Sequence, residues 1–118
     1  MDAHQDVFAR TMCGEGVPAF YASDELIEHT CSGGVIPWLA DEVGLCKSIK
    51  DFGYRYDAEG LPLIQDCQKA NFARYYLTAE SISGFDKLWH NIDGLQDKFI
   101  AYWDAVSKRF SGNQYIVG

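Results

Sequence analysis

The sequence predicts an α/β fold made of one strand–helix–strand unit, on three observations. The opening stretch Asp2-Ala3-His4-Gln5-Asp6-Val7-Phe8 alternates side chains with the period of a strand. Leu95, Phe99, Trp103, Val106 and Phe110 recur at the spacing of one helical face. Gln114-Tyr115-Ile116-Val117 then reads as the beginning of a second, buried strand. Parallel strands need a long crossover between them, and everything from about residue 11 to residue 110 serves as one.

In chain order, the first strand ends near Phe8. Residues 11–37 read as loop, because Cys13-Gly14-Glu15-Gly16-Val17-Pro18 and Cys31-Ser32-Gly33-Gly34-Val35-Ile36-Pro37 punctuate the backbone. Neither glycine cluster has the spacing of a phosphate-binding loop. Glu15, alone between two glycines, reads as a solvated loop residue. Ser23 to His29 is a candidate short helix with Ser23 as its cap. Trp38 to Phe52 places Leu39, Val43, Cys46 and Ile49 on one stripe, and Gly53 suits a helix end. After a turn-rich link around Asp57-Ala58-Glu59-Gly60, Pro62 opens a second helix reaching about Thr78. Tyr75 and Tyr76 are adjacent on it, so only one of them can face a core. The last helix starts after the cap signal Asp93-Gly94-Leu95-Gln96, carries Lys108 and Arg109 in its last turn, and stops at Gly112.

Composition narrows the function classes. The 118 residues are 47% hydrophobic and 14% aromatic, which is core-forming material. Seventeen acidic residues against ten basic ones give a net charge of −7, which disfavours nucleic acid and anionic lipid surfaces as partners. No apolar run approaches the ~20 residues of a membrane span, and the polar, acidic opening has no leader pattern. Cys13, Cys31, Cys46 and Cys67 contain no C-x-x-C pair. Three complete pairings are open to four cysteines, and free buried thiols remain an equal alternative.

The opening stretch is the place for chemistry. Asp2, His4 and Asp6 project to one side of a strand, with Ala3, Gln5 and Val7 on the other. Two carboxylates flanking an imidazole suit the hydroxyls of a sugar. A metal is disfavoured for want of soft ligands, and a solvated polar tail is the plain alternative.

Taken together, Asp-Ala-His-Gln-Asp and the following Cys13-Gly14-Glu15-Gly16-Val17-Pro18 resemble the third barrel strand and next loop of endoglycoceramidase-like glycoside hydrolases. These are retaining (β/α)8 enzymes of the cellulase-like clan, of the family 5 type. The C-terminal part is similar too, through Phe85-Asp86-Lys87-Leu88-Trp89-x-Asn91, Leu95-x-Asp97-x-Phe99-x-x-Tyr102-Trp103-x-x-Val106 and Phe110-x-x-Asn113-x-Tyr115-Ile116-Val117-Gly118. The stretch from Pro62 to Tyr76 matches more weakly.

The resemblance implies that residues 1–118 form part of a TIM barrel: its third strand, a long βα insertion with helices, the third helix and the start of the fourth strand. It implies a carbohydrate or glycolipid substrate, no cofactor, no catalytic metal, and a secreted or lysosomal parent. His4 and Asp6 would line the sugar subsite, with Asp2 and Gln5 supporting them from behind; of the aromatics in the insertion, Trp38, just after Pro37, is the candidate to stack on a sugar ring, with core packing as its alternative. The family's two catalytic glutamates fall outside the matched stretches, the acid/base in an Asn-Glu-Pro just beyond Gly118. Retaining glycosidases need both carboxyl groups, ~5–5.5 Å apart, and a barrel needs ~250 residues, so no activity is expected of these residues alone. A polysaccharide-cleaving enzyme of the same clan and a non-catalytic carbohydrate-binding module are the alternatives.

Overall fold

The computed structural model describes residues 6–30 and 46–116, and these are rich in helix. The α-helical segments are α1 (Ile64–Cys67), α2 (Ala79–Trp89) and α3 (Leu95–Phe110), with short 3-10 turns at Arg10–Met12, Ala19–Ala22, Ile49–Phe52, Phe72–Leu77 and Ile92–Gly94. Extended pairing among the described residues is limited to isolated bridges, Asp6 with Glu15, Ala9 with Val17, and Tyr56 with Pro62.

Both predicted strands need correction where they can be seen. Val7 and Phe8 lie in the left-handed region, with φ of 55° and 56°. The chain therefore turns at once, and the Ala9 amide donates to the Val7 carbonyl at 2.7 Å. What replaces the strand is a close pairing with the next loop. Asp6 and Glu15 exchange backbone hydrogen bonds of 2.9 and 2.7 Å, and the Val17 amide donates to Phe8 at 2.8 Å. Gly14 makes this approach feasible, since a Cβ there would land on the carbonyl oxygens of Val7 and Asp6. Residues 2–5 of the expected strand lie outside the described residues. At the other end, Asn113 to Ile116 form turns, closed by an Ile116 amide bond to the Asn113 carbonyl at 3.1 Å, rather than a strand.

The core gathers Val7, Phe8, Met12, Tyr21, Ile27, Ile49, Tyr75 and Leu95 around the start of α2. Phe8 meets Phe85 edge to face at 5.3 Å. A side chain at Gly84 would come within 2.7 Å of the Phe8 ring, so the helix must present glycine where that ring lies on it. Pattern reading missed α2 because Ser81, Ser83 and Gly84 are indifferent helix formers. What holds it is a Thr78 side-chain cap on the Ser81 amide and burial of Glu80, Ser81 and Gly84.

The other helices depart from expectation in instructive ways. Ser23 to Ile27 is a turn in which the Ser23 carbonyl accepts from Leu26 and Ile27, not a helix capped by the Ser23 hydroxyl. Of the expected helix over 38–52, residues 38–45 lie outside the described residues and Ile49–Phe52 is a 3-10 turn ending at a left-handed Gly53. The helix expected from Pro62 to Thr78 breaks after Cys67, because Asn71 turns its side chain onto the Ala73 amide and starts a separate 3-10 segment. Helix α3 runs as predicted, with Gly112 left-handed just after it. Its cap comes from Asn91, not Asp93: Asn91 Oδ1 accepts from the Gln96 and Asp97 amides at 3.0 and 3.2 Å. Along its apolar stripe Leu95 is buried, Phe99, Trp103 and Val106 are half-covered, and Phe110 is exposed. It therefore acts as a partly covered flank rather than a core helix.

Cys13 and Cys67 form a disulfide, so the 13–18 loop is tied to the end of α1. Cys46 is also disulfide-bonded. Arg10 reinforces the same junction by donating to the Pro62 carbonyl.

Candidate functional site

Asp6 is the one expected sugar ligand among the described residues; Asp2, His4, Gln5 and Trp38 lie outside them. Its backbone is held by the exchange with Glu15, and its half-buried carboxylate accepts from the Tyr76 hydroxyl at 3.0 Å. Tyr76 stands over Phe85 in a near-parallel stack, 6.4 Å between centroids at 9°. Phe85 in turn packs on Phe8, so the carboxylate is positioned by the core through two rings. Tyr75 points the other way and is buried, donating to the Cys67 carbonyl and sharing a 2.8 Å bond with Tyr54. Burial and the Tyr54 hydroxyl push its phenol above the ordinary range. The two adjacent tyrosines thus divide between core and site. Glu15 is exposed and takes part through its backbone alone.

Beyond Tyr76 an open apolar groove of about 720 Å³ runs between α2 and α3, walled by Ile82, Phe85, Leu88, Trp89 and Phe99. Trp89 is 78% exposed at its rim.

A second polar cluster has no counterpart in the sequence reading. Glu80, in the first turn of α2, is 2% exposed. Its carboxylate accepts from the Ser48 hydroxyl, from the Ile49 amide at 3.0 Å, and from His29 Nδ1 at 2.9 Å. A buried carboxylate with three donors is stable where an unpaired one would not be. His29 Nε2 faces Asp24 Oδ1 at 3.1 Å and Lys50 Nζ at 3.2 Å. Neutral imidazole accepts there from Lys50, whereas imidazolium donates to Asp24, so the protonation state selects the partner. These residues border a cavity of about 280 Å³ together with Thr11, Met12 and Tyr56. His29 and Glu80 are 51 residues apart, and neither sits in a recognisable motif, so no local signal announces the pair.

A second buried carboxylate, Asp66, is structural. Asp66 accepts from the Arg55 amide and guanidinium at 2.8–2.9 Å and pairs with Lys69 at 2.6 Å. The Arg55 guanidinium, then Lys69, hold its carboxyl well below the usual carboxylate range.

Among the described residues no three metal-ligating side chains converge, and no helix is long and apolar enough to cross a membrane.

Along its whole length the chain is similar to curated endoglycoceramidases. It is 28% identical over 125 residues to an endoglycoceramidase of Hydra vulgaris and 26% identical over 119 residues to one of Cyanea nozakii. Each alignment covers all of this chain and 20% of the relative, so the chain spans about a fifth of the length of these curated relatives. No family model and no solved structure matches it.

Proposed function

We propose that residues 1–118 supply the third-strand to fourth-strand part of a retaining (β/α)8 glycoside hydrolase that cleaves the sugar from a glycosphingolipid. The observation carrying this reading is the similarity of the whole chain to two endoglycoceramidases. Asp6 and His4 line the subsite for the sugar whose bond is cut, with Asp2 and Gln5 behind them and Trp38 offering an aromatic face. The anchoring of Asp6 supports this role, since a residue held at its backbone by Glu15 and at its carboxylate by Tyr76 can accept sugar hydroxyls with little reorganisation. The acid/base and nucleophile glutamates belong to other parts of the barrel, so these 118 residues alone turn over no substrate. The Cys13–Cys67 disulfide suits an oxidising compartment, in keeping with a secreted or lysosomal protein.

The test is expression of the complete reading frame that contains this chain, assayed on a ganglioside and on a soluble glucan. Release of oligosaccharide from the ganglioside is expected, and Asp6→Ala should lower kcat/KM by on the order of 10²-fold. Cleavage of the glucan alone would move the reading to a polysaccharide hydrolase. Hydrolysis of neither, by a folded protein, would leave a carbohydrate-binding module.

A further inference from the structure

We infer that the cavity beside His29 and Glu80 is a second carbohydrate site, one that seats a single neutral sugar ring apart from the Asp6 subsite. The inference rests on the glycosidase reading only for choosing a sugar over other polyols.

Its geometry carries the rest. The cavity measures about 280 Å³, at the small end of the ~300–1,000 Å³ common for ligand pockets, which suits one ring rather than a chain of them. Thr11 lines the cavity, and its Oγ1, itself buried, has no hydrogen-bond partner among the described residues. A buried hydroxyl left unpaired is costly, and turning the Thr11 side chain toward the cavity would let a ligand hydroxyl satisfy it.

Opposite it, the mouth is polar and accessible. Asp24 is 79% exposed and offers acceptor oxygens, while Lys50, 52% exposed, offers donors. Both are already oriented, by His29 Nε2 and by each other at 3.5 Å, and His29 is held from behind by Glu80. Met12, Ile27 and Ile49 supply an apolar floor for ring C–H groups, and the half-exposed Tyr56 ring stands at the edge. Donors and acceptors alternating over an apolar floor match a pyranose, which presents hydroxyls around its rim and C–H groups on its faces. An anion fits poorly, because Asp24 and Glu80 outnumber Lys50. Burial and those two carboxylates also keep the Tyr56 phenol protonated, available as a donor.

The test is NMR titration of the disulfide-intact 118-residue chain with D-galactose and D-glucose, with sorbitol and inorganic phosphate as comparison probes. Saturable amide shifts at Thr11, Asp24, Ile49, Lys50 and Tyr56, with half-saturation at millimolar sugar, are expected for at least one sugar and not for sorbitol. Thr11→Val and, independently, the surface change Asp24→Asn should each weaken that binding about tenfold while leaving the spectrum dispersed. Shifts confined to Asp6, Glu15 and Tyr76 would overturn this inference and leave the glycosidase reading intact. Shifts with phosphate in place of sugar, or none at the cavity, would overturn it as well. Conversely, sugar shifts at the cavity combined with no glycolipid hydrolysis by the complete protein would refute the proposed activity and not this site.

Discussion

The Tyr76 hydroxyl donates to the Asp6 carboxylate across 3.0 Å and seventy residues of sequence. The contact joins the opening segment to the 3-10 turn that precedes α2, and it is where the core and the proposed sugar subsite meet. Tyr76→Phe keeps the ring stacked on Phe85 and deletes the donor. A stability loss of about 0.5–1.5 kcal/mol is expected from urea melts. In the complete protein the same change should lower kcat/KM, by less than Asp6→Ala does. The two losses should fall short of additivity, because the residues share one network. Strict additivity would show that Tyr76 does not act through Asp6.

Gly14→Ala tests the loop pairing. The added methyl group meets two backbone carbonyls, which cannot swing away as a flexible side chain would. A loss of about 2–4 kcal/mol is expected, against about 1–2 kcal/mol for alanine at Gly60, which has open space but an unfavourable φ of 77°. Equal melting temperatures for the two variants would mean that the Asp6–Glu15 pairing is looser than described.

The Cys13–Cys67 bridge closes a loop with a sequence separation of 54. Loop-closure entropy alone assigns such a bridge about 4 kcal/mol, and measured values often fall below that. Replacing both cysteines by serine should therefore lower the denaturation midpoint clearly. It should also release the 13–18 loop, seen as faster amide exchange at Glu15 and Val17, whose amides donate to Asp6 and Phe8. Unchanged exchange there would assign the bridge a role in unfolded-chain entropy only.

Asp66 gives a pH prediction with a definite sign. Its carboxyl is held below the usual range by Arg55 and Lys69, so the folded state binds its proton less readily than the unfolded chain does. The stabilisation is complete above the ordinary carboxylate value of about 4 and is lost progressively as the pH falls below it. Asp66→Asn should be markedly less stable than the parent at pH 7, with the gap narrowing as the medium is acidified toward pH 2. A gap that stays constant over that range would assign the loss to packing rather than charge.

What the sequence made legible follows from the range of each interaction. The α3 helix was visible because its stripe and its stop at Gly112 are local. The division of labour between Tyr75 and Tyr76 was visible because adjacent residues on a helical turn cannot share a face. The end of the opening strand was misread because alternation cannot reveal that Val7 and Phe8 adopt left-handed backbone to let the glycine loop close in. Helix α2 was missed because its glycine is dictated by a phenylalanine 76 positions earlier in the chain, Phe8 against Gly84. The Glu80–His29 pair stayed hidden for the same reason: its partners meet only after folding.

The bridge between Cys13 and Cys67 also changes what cleavage of the chain means. One cut in the backbone between Pro18 and Cys67 would leave both products covalently joined. The N-terminal product would keep Asp6 and the glycine loop, and the C-terminal product would keep Tyr76, α2 and α3. A nicked molecule would travel as one species until reduced, so its opening segment could stay docked on Phe85 with the intervening backbone interrupted.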